Sequence, residues 1–137
     1  MPYYAYGLQR ASATLTSNVT MTTAGTQYAG PSVSLTAGSW RVFGVAQVQN
    51  TATGNVEITA TIYNSTSSTA LAAHEHDSNA PGTDVIGASV TAYVTLTAAA
   101  TLQLEAVAST AGCTLLATAT YNGVTNTATG IWAERIG

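Results

Sequence analysis

Apolar and polar residues alternate along most of this chain with a period of two residues. The clearest segment covers residues 86–96, in which every second side chain is apolar and those between are Gly, Ser, Thr or Tyr. Because successive side chains of a strand point to opposite faces of a sheet, this pattern predicts a strand with one buried face. The same alternation recurs in residues 15–21, 33–35, 56–62, 102–108 and 113–121.

Short turn-forming sequences separate these segments. They lie at residues 30–31, 37–38, 50–55, 80–82, 111–112 and 122–123, and each contains Gly, Pro or Asn. Such residues supply the positive φ, fixed φ or side-chain capping that turns need. With no helical periodicity, we predict an all-β fold, an antiparallel β-sandwich or jelly roll of about eight to ten strands. One domain over 12–137 would follow a short extended N-terminal arm over 1–11.

Two segments break the simple alternation because they are apolar on both faces. SWRVFGVAQVQ places Trp40 on one face and Phe43 on the other, and the closing GIWAERIG likewise carries Trp132 opposite Ile131. A sandwich strand normally leaves one face in water, so the second face should lie beneath loops or against a neighbouring subunit. We favour the subunit contact, and the residues predicted to form it are Arg41, Phe43, Trp132, Glu134 and Arg135.

The two charges near the end of the chain cannot pair with each other. Glu134 and Arg135 are consecutive strand residues and therefore point to opposite faces. Each needs another partner, for which Arg41 and Glu57 are the candidates in the same or a neighbouring chain.

The composition restricts the classes of partner. Charged residues make up 7% of the chain and the net charge is −3, with Arg10, Arg41 and Arg135 as the only basic residues besides two histidines. So little positive charge argues against nucleic acid as a partner. The sequence contains no apolar run of about 18 residues and no signal-like N-terminal segment, so we expect neither a membrane span nor secretion.

Few residues of this sequence could bind a metal or take part in catalysis. In AHEHD, over residues 73–77, His74 and His76 would share one face if the segment is extended and could bind a metal together. The competing interpretation is a pair of solvated surface histidines, because the stretch is followed by SNAPGTD, which looks like an exposed loop. Cys113 is the only cysteine, which excludes an intrachain disulfide and favours a small buried side chain. No nucleophile motif is present, so we predict a non-enzymatic protein without a cofactor.

Three stretches of the sequence carry a resemblance to a known class of protein. They are PSVSLTAGSWRVFGVAQVQ, TLTAAATLQLEAVAS and the closing IWAERIG. Together they resemble the small jelly-roll modules of bacteriophage virions, which are similar in layout to complement-type and tumour-necrosis-factor-like trimeric heads. In those modules a polar turn leads into a Gly-aromatic strand, as Gly38-Ser39-Trp40 does here.

The resemblance implies a place on the virion surface and two alternative functions. The first is capsid decoration, in which a homotrimeric cement protein binds the major capsid protein or another virion protein. The second is a tail-fibre or receptor-binding head whose loops, at residues 64–69 and 77–84, contact a host glycan. The sequence has no coiled-coil heptads or collagen-like repeats, which favours decoration. A third possibility, a secreted carbohydrate-binding module, would require a signal segment.

The first ten residues, MPYYAYGLQR, concentrate aromatic side chains at Tyr3, Tyr4 and Tyr6. Aromatic residues are enriched in protein interfaces. We therefore consider that these tyrosines dock on the capsid or on an adjacent subunit. Packing across the base of their own sandwich is an equal alternative.

Overall fold

A computed structural model describes residues 9–78 and 85–137, which form twelve strands. The strands, in chain order, are β1 (Arg10–Thr14), β2 (Val19–Met21), β3 (Tyr28–Leu35), β4 (Gly38–Gln49), β5 (Val56–Asn64), β6 (Thr69–Ser78), β7 (Val85–Leu96), β8 (Ala100–Ala108), β9 (Cys113–Leu115), β10 (Thr118–Tyr121), β11 (Val124–Thr127) and β12 (Gly130–Arg135). Among the described residues, no helix is long and apolar enough to cross a bilayer.

The strands form two main antiparallel sheets that pack face to face as a β-sandwich. Sheet A has the order β1-β12-β4-β9-β2, and β7 pairs with β4 along its whole length. Sheet B has the order β3-β8-β5-β6, and β10 and β11 form a separate hairpin. The predicted all-β antiparallel sandwich is therefore confirmed.

The core lies between the sheets and follows the predicted alternation. On β5, β8 and β12, the side chains of Ile62, Leu104 and Ile131 are fully buried. The sheets approach closely at Gly44 of β4, where a Cβ atom would lie 2.7 Å from Cδ1 of Leu104 and 3.0 Å from Cδ1 of Ile62. Glycine at this position lets large side chains from sheet B reach the backbone of sheet A.

The structure has twelve strands and not eight to ten, and one reason is that an alternating segment is interrupted. The segment 113–121 leaves sheet A after Leu115, where Leu116 donates its backbone N–H to the carbonyl of Gln47. Ala117 then donates to Oδ1 of Asn18, and the chain continues into the hairpin. The alternation of apolar and polar residues indicates which side chains are buried, but it does not indicate which sheet they belong to.

Three further expectations can be compared with the fold. The predicted burial of Cys113 is found in the structure, and burial raises the pKa of its thiol.

The predicted turn at residues 122–123 joins β10 to β11. Its φ angles of 50° at Asn122 and 80° at Gly123 suit a two-residue hairpin. Arg10 and Ala11, which the sequence placed in an N-terminal arm, belong to β1.

Candidate interface on the outer face of sheet A

Four neighbouring strands, β1, β12, β4 and β7, present a continuous outer face to solvent. Their antiparallel registers bring side chains of the same parity into two parallel rows. The first row is Ser12, Trp132, Phe43 and Thr91, and the second is Arg10, Glu134, Arg41 and Tyr93. We call these eight residues, which lie far apart in the sequence, the outer patch of sheet A.

Three large aromatic side chains of the outer patch are exposed. The exposed fractions are 41% for Phe43, 73% for Tyr93 and 40% for Trp132. The rings of Phe43 and Trp132 lie with their centroids 5.9 Å apart and their planes tilted by 35°. The Trp132 ring also extends over Gly130, where an added Cβ would lie 2.5 Å from the ring atom Cη2. Glycine at 130 therefore allows the indole to lie flat along its own strand.

An ion-pair row lies beside these rings. The Nη2 atom of Arg41 donates a hydrogen bond to Oε2 of Glu134 at 2.7 Å. On the other side, Nη2 of Arg10 is 3.8 Å from Oε1 of Glu134. Glu134 thus lies between two arginines that remain 70% and 52% exposed, so each guanidinium keeps donors available to a binding partner.

The outer patch surrounds an open depression of about 530 Å³. Aromatic residues and arginine are the side chains enriched at the energetic centres of protein interfaces. Arginine also stacks on aromatic rings and forms bidentate hydrogen bonds. The depression therefore has the side-chain composition of a binding surface.

Four of the residues predicted for a subunit contact come together here, namely Arg41, Phe43, Trp132 and Glu134. The fifth does not, because Arg135 points to the other side of β12 and donates to Oε1 of Gln9 at 2.8 Å and to the carbonyl of Gly137 at 3.2 Å. Phe43 and Trp132 are exposed on the second face of β4 and β12, and the contact with a neighbouring subunit stays a prediction. Tyr3, Tyr4 and Tyr6 lie outside the described residues.

Sequence reasoning missed four members of the outer patch, and the two large side chains among them are Arg10 and Tyr93. Tyr93 occupies a polar position in the alternating segment 86–96, and its size was the signal that distinguished it from the Ser and Thr around it. Arg10 was assigned to the arm, because nothing in the sequence shows that β1 pairs with β12.

The outer face of sheet B has a different character. Carboxylate oxygens of Glu57, Glu75 and Asp77 lie within 4.8 Å of one another at the end of β5 and β6, and all three residues are exposed. The pKa of Glu57 is raised by the hydrogen bond that its protonated form donates to Glu75, by repulsion from Glu75, by partial desolvation and by repulsion from Asp77. We call these three residues the acidic cluster.

Glu105, on β8, is the acidic residue that this sheet buries. It pairs across the strands with Ala29 and Thr61, and its Oε2 atom has no hydrogen-bond partner among the described residues. Burial raises the pKa of this carboxyl group. A carboxylate in these surroundings costs free energy because its Oε2 atom loses hydration without gaining a hydrogen bond from the described residues.

His74 and His76 lie on β6, so the segment is extended, as a shared face for the two side chains requires. Their imidazole centroids are 4.7 Å apart in an edge-to-face arrangement, and Nε2 of His76 is buried without a hydrogen-bond partner in the described part of the chain. The cross-strand neighbours of the two histidines, Ala60 and Ile58, offer no metal ligand. Metal binding by the pair stays a prediction.

Comparison with known proteins gives a likeness of fold. No protein-family model matches the sequence, and no curated protein matches it. The structure of infectious bursal disease virus, Gx strain, matches with a TM-score of 0.55 and 17% identity over 94% of this chain and 33% of that one. The crystal structure of the infectious bursal disease virus VP2 subviral particle matches with a TM-score of 0.54 and 14% identity over 96% and 33%.

A third structure, of particles derived from a mutant VP2 protein of the same virus, matches with a TM-score of 0.55 and 16% identity over 96% and 32%. The chain therefore spans about one third of the length of the chains that it matches. At these identities the likeness shows a shared β-sandwich fold. The resemblance to bacteriophage modules and to tumour-necrosis-factor-like heads stays a prediction.

Proposed function

We propose that this chain is a non-enzymatic structural domain of a virus particle, which associates with further copies of itself through the outer patch of sheet A. The observation that carries the proposal is the exposure of Phe43, Tyr93 and Trp132 beside two arginines, in a chain with few charges. The likeness of fold to chains in the structures of infectious bursal disease virus and of its VP2 subviral particle supports it.

The isolated chain leaves the aromatic rings of the outer patch exposed to water, and burial of these rings would favour association. Buried aromatic side chains contribute about 150–250 Å² each to an interface. A standard interface of about 1,600 Å² needs only a few such residues at its centre, surrounded by polar contacts that exclude water. The rings of the outer patch, with the ion pairs beside them, have this arrangement.

In its finer form the proposal is a decoration protein that binds as a homotrimer on the surface of a bacteriophage capsid and bridges copies of the major capsid protein. A contact repeated over a lattice gives cooperative stability from individually modest interfaces. Quantitative mass spectrometry of purified particles tests this form. Hundreds of copies per particle are expected, whereas a few dozen or fewer would indicate a fibre or tail tip.

Replacement of two rings tests the association itself. The double variant Phe43→Ser/Trp132→Ser should have a mass near that of the 13.9 kDa chain in sedimentation velocity, at concentrations where the wild type is larger. The matched control is Val124→Ser on β11, which removes another exposed apolar side chain and should leave association unchanged. A monomeric wild type, or a double variant that associates normally, would refute the proposal.

A receptor-binding head that contacts a host glycan is the second candidate. It is favoured by the depression beside Trp132, because an exposed indole flanked by charged groups can stack on a sugar ring while the charges bind its hydroxyl groups. Trp40 does not offer this surface, since it is buried and donates its indole N–H to the carbonyl of Thr36. Glycans that bind here should change the fluorescence of Trp132, and the change should be lost in Trp132→Phe.

A further inference from the structure

We propose that the association is asymmetric: the outer patch of sheet A on one copy receives the acidic cluster of sheet B on the next copy. The inference rests on the proposed function, because it specifies the contact through which copies associate. It makes the occupant of the depression a second copy of this chain, placed so that Glu57, Glu75 and Asp77 approach Arg10 and Arg41.

The outer faces of the two sheets differ in charge. The outer patch of sheet A carries two arginines and one glutamate, which gives it a net charge of about +1 when all are ionised. The acidic cluster carries about −3 on the same basis. The two opposite faces of the sandwich therefore have opposite charge, although the chain as a whole has a net charge of only −3.

Few basic side chains of this chain could neutralise the acidic cluster. The chain has three Lys and Arg residues in total, and all are arginines. Arg135 is engaged with Gln9 and the carbonyl of Gly137, close to the end of sheet A. If the acidic cluster is neutralised by another copy of this chain, the arginines available to it are Arg10 and Arg41, which lie together on the outer patch.

The two arginines and the acidic cluster are similar in extent. Arg10 and Arg41 lie on β1 and β4, the two strands that flank β12, so their backbones are about 10 Å apart across the sheet. The carboxylate oxygens of the acidic cluster lie within 4.8 Å of one another. Because the carboxylate of Glu134 lies between the two guanidinium groups, the cluster would meet the donors that Glu134 does not use. Both guanidinium groups are more than half exposed and can reach a cluster of this width.

The proposed contact between unlike patches restricts the symmetry of the assembly. Contact between two copies of the outer patch would place like net charges opposite each other, and so would contact between two acidic clusters. A contact between unlike patches is heterologous, and it closes into a ring when the rotation between successive copies allows it. Such a contact is compatible with the proposed homotrimer, whereas a two-fold dimer through either patch is not.

Charge exchange between the faces provides the test. The patch variant, Arg10→Glu/Arg41→Glu, changes the outer patch to about −3, and the cluster variant, Glu57→Lys/Glu75→Lys, changes the acidic cluster to about +1. Either variant alone makes the two faces alike in sign. The four substitutions combined exchange the net charges of the faces and restore the net charge of the wild type. Circular dichroism of each variant checks that it is folded.

We expect the patch variant and the cluster variant each to associate about 100-fold more weakly than the wild type, because like charges placed opposite each other cost several kcal/mol. The combined variant should recover most of the lost association. If the cluster variant associates normally while the patch variant does not, the contact is not asymmetric, although the proposed function survives. Failure of the folded combined variant to recover would also overturn the inference. A monomeric wild type would refute both proposals.

Discussion

The two outer faces of this sandwich differ although the two inner faces are alike. Both sheets fill the core with Val, Ile, Leu and Ala. On the outside, sheet A carries exposed aromatic rings and an ion-pair row, whereas sheet B carries carboxylates and hydroxyl groups. Folding requires only that each sheet have one apolar face. The outer faces are therefore free to differ, and this contrast is what the proposed contact between unlike faces of two copies requires.

The largest predicted difference in the free energy of unfolding is between two substitutions on β8, one on its inner face and one on its outer face. Leu104 on β8 is fully buried and contacts the region of Gly44, so Leu104→Ala should lower the free energy of unfolding by about 2–5 kcal/mol. Val107 lies on the same strand but on its outer face and is partly exposed. Val107→Ala should therefore cost clearly less, as measured by urea unfolding of both variants. Equal losses would mean that the outer face of sheet B is packed as tightly as the core.

The sequence predicted this core better than it predicted the outer patch, and the reason is physical. Alternation in segments such as 86–96 follows directly from burial, so it identified the inner positions of β7. Phe43 and Trp132 were found because large apolar side chains at outer positions are unusual. Arg10 and Tyr93 were not, because their role depends on strand pairing across more than 50 residues of chain, which periodicity does not encode.

A substitution at the buried acidic residue of sheet B should have a smaller effect on the free energy of unfolding, and this effect should depend on pH. Glu105 is the carboxyl group whose pKa is raised by burial, and its cross-strand neighbours Ala29 and Thr61 carry no charge. A raised pKa in the folded chain means that stability falls as pH rises through that pKa, because the folded state holds the proton more tightly. Glu105→Gln removes the buried carboxylate and should stabilise the fold at pH 7 by about 1 kcal/mol.

The measurement is the difference between the two unfolding free energies as a function of pH. The advantage of Glu105→Gln should shrink as pH is lowered through the raised pKa, because the wild-type carboxyl then becomes neutral. Titration of the acidic cluster contributes equally to both proteins and cancels in the difference. A difference that is independent of pH would show that the carboxyl group is hydrated in the folded chain.

The smallest effect on folding should come from the ion pair of the outer patch. Arg41 and Glu134 form a hydrogen-bonded pair at 2.7 Å, but their side chains are 52% and 27% exposed. A double-mutant cycle with Arg41→Met and Glu134→Gln should therefore give a coupling of about 0.2–1 kcal/mol, and salt should reduce it. The same cycle measured on association should give a larger coupling, since the groups would then be removed from water. Couplings of equal size in both measurements would mean that these charges stay hydrated when copies associate, and would remove the arginines from the centre of the contact.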